Sequence, residues 1–218
     1  KLSSFTRESF NFRSIIQGPK FNRVFKVNNS PTKFKHLLEP RITYNYIPNM
    51  DKNDRLKIKK FDSIDTIANP ANSITYGFGQ RLLKRIKTGP KEHQTKQILR
   101  FNVSQTYNIR EATKQKQPGI DRHPFSDIYF DFDSRPTDSL LFNTDASYSI
   151  ETDSVNKFNF EAGIKPIKDL WLIMERRWTK NGPNYILGTL DMSLKPGWRM
   201  QYSVRYDELA STFRENQF

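Results

Sequence analysis

Histidine is the side chain best suited to proton transfer near neutral pH, and this sequence has three: His36, His93 and His123. They lie far apart. A hydrolase would need a serine or an acid fixed beside one of them, and no motif here sets up such a pair. Their separations do not match metal-ligand spacing either. Cysteine is absent, which excludes disulfides, thiolate chemistry and Cys-based zinc sites. The expectation is a protein that is not an enzyme and that uses no cofactor or metal.

What remains is charge. The chain carries 36 Lys+Arg against 23 Asp+Glu, a formal net charge of +13. Such an excess often means a polyanion or an anionic surface as partner. The densest basic cluster is Lys52, Arg55, Lys57, Lys59 and Lys60, beside Asp51 and Asp54. On an external loop these groups would meet phosphates through charge-assisted hydrogen bonds. The plainer alternative is a solvated loop. A nucleic-acid partner is not supported, because the surrounding aromatics follow strand periodicity and do not form a stacking surface.

The other polar candidates sit at alternate positions: Glu39, Arg41, Asn45, Asn143, Asp145, Glu161, Arg199, Gln201 and Arg205. Side chains of a strand alternate between two faces, so such spacing needs β-strands to present it. The cleanest strand sets Trp198, Met200, Tyr202, Val204 and Tyr206 against Arg199, Gln201, Ser203, Arg205 and Asp207. Leu140, Phe142, Thr144, Ala146, Tyr148 and Ile150 alternate in the same way with Asn143, Asp145, Ser147 and Ser149. Phe158 to Lys165, Leu170 to Trp178 and Ile186 to Leu194 repeat the pattern. Upstream, apolar faces run through Ile128–Phe132, Leu99–Ile109, Ile74–Leu82 and Leu38–Tyr46. A short strand is expected around Phe21–Val27, and the first 16 residues pattern weakly. Pro40, inside a strand, removes a ladder donor and marks a bulge or a weakened pairing. Gly77 and Gly79 share a polar face and mark open space, curvature or close backbone approach.

Composition narrows the class. Mean hydropathy is low, yet 17 Phe, 9 Tyr and 3 Trp are spread along the chain. A disordered chain would be poor in aromatics. No run approaches the roughly 18 apolar residues of a transmembrane helix, but a barrel strand needs only about 9–11 residues, half of them apolar. The strands read as longer than the five or six residues usual in soluble sheets, and aromatics such as Trp198 and Tyr206 close their apolar faces. Short turns at Asn28–Thr32, Arg135–Asp138, Lys165–Asp169 and Lys195–Gly197, with the longer Lys87–His93 connection, oppose more polar connections at Pro48–Asn72, Arg110–Pro124, Thr152–Asn156, Thr179–Pro183 and Glu208 onward. The second set is expected on the outer side and the first on the periplasmic side. The fold expected is all-β: an antiparallel up-and-down transmembrane β-barrel, seen as an incomplete segment of about 10 strands. Residues 213–217 lack alternation and are expected to fall outside any strand. No signal peptide is visible, and both ends are expected to be those of a fragment.

The segment His36-Leu-Leu-Glu-Pro-Arg-Ile-Thr-Tyr-Asn-Tyr-Ile-Pro48, then Phe61-Asp62-Ser63, then Asn69 to Leu83, resembles the barrel of the LptD family of outer-membrane lipopolysaccharide-assembly proteins. There a Leu-Glu-Pro-Arg strand runs into a Tyr-x-Tyr-x-Pro exit, an acidic-aromatic loop follows, and an Ala-Asn strand ends in Arg-Leu. The Arg135-Pro136 turn and the hairpins to Asp207 are similar to that family. Ser63–Ala68 is shorter than the family's aromatic-rich loop. The resemblance implies a Gram-negative outer-membrane translocon component that inserts lipopolysaccharide into the outer leaflet. It implies outer-membrane lipids, the plug lipoprotein LptE and periplasmic Lpt bridge proteins as partners. All of residues 1–218 would belong to one barrel domain, with the family's N-terminal periplasmic domain and closing strands not represented. The alternative reading is a generic porin or substrate-specific channel.

Overall fold

The computed structural model describes residues 10–28, 30–49, 69–89, 92–115, 118–119 and 121–217, with backbone alone for 215–217. The elements are β1 (Phe12–Gln17), β2 (Phe21–Lys26), β3 (Lys33–Ile47), β4 (Ala71–Lys87), β5 (His93–Asn108), α1 (Ile109–Thr113), β6 (Ile128–Thr137), β7 (Leu140–Ser149), β8 (Ser154–Ile167), β9 (Leu170–Thr179), β10 (Asn184–Lys195), β11 (Trp198–Asp207) and β12 (Thr212–Gln217). All strands join one antiparallel sheet, and from β3 to β12 each strand pairs with the next in sequence. This is the up-and-down order expected of hairpin after hairpin. The sheet is not closed on itself. It is also a single layer: among the described residues, the strands' main contacts are with their ladder partners, and α1 rests on β4.

Among the described residues the count is 12 strands, not about 10. Two were missed at the ends. β1 comes from the weakly patterned first 16 residues, and β12 from the polar tail. Each has only 6 residues, too short a run for alternation to stand out. β1 and β2 are in effect one edge strand. Gln17 faces Arg41 and Phe21 faces Leu38, so Gly18, Pro19 and Lys20 oppose only Glu39 and Pro40. Three residues against two is a β-bulge.

That bulge accounts for Pro40. The Gly18 N–H donates to the Pro40 carbonyl at 2.9 Å. In a strand the N–H and C=O of one residue point to the same side, so the donor that proline lacks faces the bulge. The β3–β4 ladder therefore runs unbroken through Pro40↔Phe78, and the missing bond falls where pairing is already interrupted. A Cβ on Gly18 would come within 2.7 Å of the Pro40 ring, so glycine is what lets the two approach.

Connections segregate by end as the sequence suggested. β2–β3, β4–β5, β6–β7, β8–β9 and β10–β11 turn at one end of the sheet; the remaining connections turn at the other. The Arg110–Pro124 connection begins with α1, capped by the Asn108 side chain, which accepts from the Glu111 N–H at 3.1 Å. Ile109 therefore belongs to this helical turn and not to the strand face where its alternation had placed it. Pro166 lies at the end of β8, where the ladder slips between Ile164 and Ile167, leaving a tighter turn than expected at residues 168–169. Gly197, at φ 85°, supplies the left-handed residue of the β10–β11 turn.

Candidate functional site

Ladder register fixes which side chains share a face. Across β3 to β11 one face carries Ile42, Tyr76, Phe78, Phe101, Val103, Phe130, Phe132, Phe142, Phe158, Met174, Leu190, Tyr202 and Val204. The opposite face carries Glu39, Arg41, Asn45, Asn143, Asp145, Glu161, Arg199, Gln201 and Arg205. The nine polar residues picked from alternation thus lie on one surface, which makes it the candidate site.

Burial runs against the habit of water-soluble proteins. On the apolar face Ile42, Phe78, Met174 and Met200 are exposed. On the polar face Ser147, Ser149 and Asn159, at 7% exposure, are buried together with Leu37 and Leu141. No second layer covers either side. In a single sheet the crowded side is the inside of its curvature, so the polar face is concave and the apolar face convex.

The polar face satisfies itself over much of its width. The Asn143 amide donates to Glu161 at 2.6 Å, and the Asn159 amide donates to Asp145 at 2.9 Å. Lys157 pairs with Asp145 at 2.6 Å, Arg177 with Glu175 at 2.9 Å, and Arg199 donates through Nε to Asp191 at 2.7 Å. Arg100 sits between Asp131 and Asp133. A depression of about 360 Å³ lies over Thr189, Asp191, Arg199, Gln201 and Ser203.

A larger cleft of about 650 Å³ lies on the same face over β1, β3, β4 and β5. Arg13, Lys20, Glu39, Arg41 and Arg81 rim it, and Thr43, Gly77, Gly79, Asn102 and Ser104 line it. The two glycines differ. A Cβ on Gly77 would lie 2.2 Å from the Val103 carbonyl oxygen, so β4 and β5 approach there too closely for any side chain. A Cβ on Gly79 would meet only the Asn102 side chain, at 2.8 Å. Gly77 is required by backbone approach, and both glycines leave the cleft floor bare. Alternation alone missed this cleft. Arg13 and Lys20 lie in the weakly patterned edge, and only pairing with β3 brings them to Glu39 and Arg41.

The histidines do not converge. His36 contacts Gln80 at 3.1 Å on the apolar face, and His123 pairs with Glu151 at the end with the longer connections. Among the described residues no group of His, Asp and Glu could hold a metal ion. The basic cluster Lys52, Arg55, Lys57, Lys59 and Lys60 lies outside the described residues.

The sequence matches the family described as LptD, LPS transport system D, over residues 18–188. The chain belongs to the LptD family. The match begins at Gly18 in the bulge and ends at residue 188 within β10, so it covers the β3–β5 part of the cleft and the ion pairs from β5 to β9, but not Arg13 or the Asp191–Arg199 pair. LptD proteins serve lipopolysaccharide transport and assembly at the outer membrane and are not a known enzyme family. No curated protein matches the chain. No helix among the described residues is long and apolar enough to cross a membrane, which leaves open the crossing by strands that this family uses.

Proposed function

We propose that residues 1–218 are part of one transmembrane β-barrel wall in the Gram-negative outer membrane, and that the barrel inserts lipopolysaccharide into the outer leaflet. The observation that carries this is the inverted burial: a single-layer sheet with its large hydrophobics outside and its hydrogen-bonded polar residues inside. In water that arrangement would leave the convex face uncompensated. Against lipid it is the stable one, provided further strands close the sheet so that no edge group is left without a partner.

Dimensions agree. At about 45° tilt and about 3.3 Å per residue, ten-residue strands such as β7 and β11 span roughly 23 Å, close to the apolar band of an outer-membrane barrel. β3, β4 and β5, with 15, 17 and 16 residues, are longer than this and overhang it. The apolar face marks where: past Leu82 and Leu99 it carries Lys84 and Lys96. Toward the other end it carries Tyr44, Tyr107, Tyr148, Trp178 and Tyr206, the positions of an aromatic girdle. The short turns then face the periplasm, and the longer connections, including the 52–60 basic cluster, face outward.

In this reading the nine polar candidates face the lumen. Most of them solvate and brace the interior. The family's plug lipoprotein LptE would occupy that lumen, and periplasmic Lpt bridge proteins would deliver lipopolysaccharide to it.

The test is single cysteines at positions 200 to 205 of the full-length protein in outer membranes, probed with a membrane-impermeant and a lipid-soluble maleimide. Met200, Tyr202 and Val204 positions should take only the lipid-soluble reagent, and Gln201, Ser203 and Arg205 positions the aqueous one. Uniform aqueous labelling of all six would sink the membrane reading.

A further inference from the structure

The polar face is electrically uneven. From β5 to β9, and again between β10 and β11, Arg100, Lys157, Arg177 and Arg199 each touch an acid. Around the larger cleft, four cations share one acid. Glu39 holds Lys20 at 3.2 Å and Arg81 at 2.6 Å, while Arg13 and Arg41 have no acidic partner among the described residues. Toward the short-turn end the excess continues. Register sets Lys26 opposite Lys33, and Lys33 opposite Arg85, in one row on the same face. Directly opposed like charges destabilise an antiparallel pair, and the row continues only to Thr95, which is neutral.

The cleft has the shape for an anion with a polar body. Its volume lies within the roughly 300–1,000 Å³ of small-ligand sites. Its floor is bare backbone at Gly77 and Gly79, so a ligand can sit low between the guanidiniums. Thr43, Asn102 and Ser104 add neutral hydrogen-bonding groups suited to hydroxyls. Guanidinium forks match phosphate oxygens in pairs, and three of the four cations here are arginines.

We propose that this cleft, reached along the Lys26–Lys33–Arg85 row, binds the phosphate groups of a phosphorylated saccharide, those of lipopolysaccharide, as it passes the wall. The inference rests on the transport reading above and names the part of the cargo that the wall holds. Arg13 and Arg41 are the principal ligands. Lys20 and Arg81 share the single charge of Glu39, so the pair keeps a net positive charge and adds to the field around them.

The test uses the full-length protein assembled with its partners and loaded with lipopolysaccharide. A benzophenone maleimide is placed at Thr43→Cys in the cleft and, for comparison, at Gln201→Cys over the ion-paired depression. The Thr43 reporter should label lipopolysaccharide, and removing the cargo's phosphates with hydrofluoric acid should cut that labelling by about tenfold, the loss expected for one charged hydrogen-bonding partner. The Gln201 reporter should not respond to phosphate removal. Arg13→Gln with Arg41→Gln should match the effect of phosphate removal, and the paired lysine variants should restore most of the signal. The phosphate-removal arm decides the matter even where the variants fail to assemble. Equal labelling with and without phosphate overturns the site and leaves the transport reading standing. Loss of labelling to inorganic phosphate at the cargo's own concentration also overturns it, because the site would then take the free anion. No labelling from either reporter overturns the transport reading itself.

Discussion

The two parts of the polar face are built from the same strands and the same alternation, yet they handle charge in opposite ways. Over β7 and β8, Asn143, Asp145, Lys157, Asn159 and Glu161 interlock, and the surface is nearly neutral. Over β1 to β4, one acid answers four cations and the floor is glycine. A wall that only needed to be wet inside would look like the first part throughout. Buried polar groups are stable when paired, and the first part is paired. The second leaves Arg13 and Arg41 without an acid among the described residues, beside open volume, so their mutual repulsion stays uncompensated unless something anionic visits.

The sharpest way to break this comparison is to fill the cleft floor, with Gly188 on the apolar face as the open control. Gly77→Val puts a Cβ 2.2 Å from the Val103 carbonyl, a contact that only backbone displacement relieves. It should cost more than about 4 kcal/mol and abolish assembly of the folded, heat-resistant form. Gly188→Val, in β10, meets nothing within 4 Å and adds a β-branched residue to a strand. It should assemble normally by the same electrophoretic assay. Equal behaviour of the two variants would mean that β4 and β5 are not held together as tightly as their register says.

A second perturbation should erase the difference. The convex face carries large apolar side chains in both parts, Phe78 in one and Phe130 in the other, so a lysine at either should be equally unwelcome. Phe78→Lys, beside the cleft, and Phe130→Lys, in the ion-paired part, should each lower stability by roughly 2–4 kcal/mol in lipid vesicles by urea titration. A cost at Phe130 alone would confine the lipid-facing band to the later strands.

How much of this contrast was readable beforehand follows from its physics. Alternation at Leu140–Ser149 and Trp198–Asp207 reports which face is wet, because lipid or core selects every second residue. The nine polar candidates were therefore recoverable one strand at a time. The cleft was not, since it needs Arg13 and Lys20 from an edge of weak pattern and a bulge that shifts register by one. Nor was β12. Thr212 to Gln217 alternates poorly because its register against β11 shifts at Arg214, within a strand of only 6 residues. The bulge itself had a visible signal, Gly18-Pro19 in the sequence opposite Pro40, but its meaning depends on which strands pair.

Charge pairing supplies a smaller test. Asn159 is 7% exposed and donates to Asp145 at 2.9 Å. Asn159→Ala leaves that carboxylate short of a donor and should cost about 1–2 kcal/mol. Arg41→Gln removes a cation that has no acid to lose. It should stay within about 0.5 kcal/mol of the parent without cargo, or stabilise slightly by relieving repulsion from Arg13 and Arg81. Urea midpoints of the two variants should separate in that order. A larger loss at Arg41 would show that the guanidinium braces the wall, and the contrast between the parts would fail.

The smallest expected effect lies where the parts meet. Lys96, on the overhanging end of β5, donates to Asp138 in the β6–β7 turn. That hydrogen bond, with the charge of Lys96 behind it, holds the Asp138 carboxyl below the usual carboxylate range. A group whose folded pKa is lowered contributes stability above its unfolded value, and the contribution fades as pH falls through the folded one. The Asp138→Asn variant should therefore unfold slightly below the parent at neutral pH. The gap should close only as pH drops past the ordinary aspartate value of 3.8. Both groups are well exposed, so added salt should shrink the gap as well. A gap that persisted in strong salt and acid would mean that the turn geometry, not the charge, ties the overhang of the cationic part to the first hairpin of the neutral one.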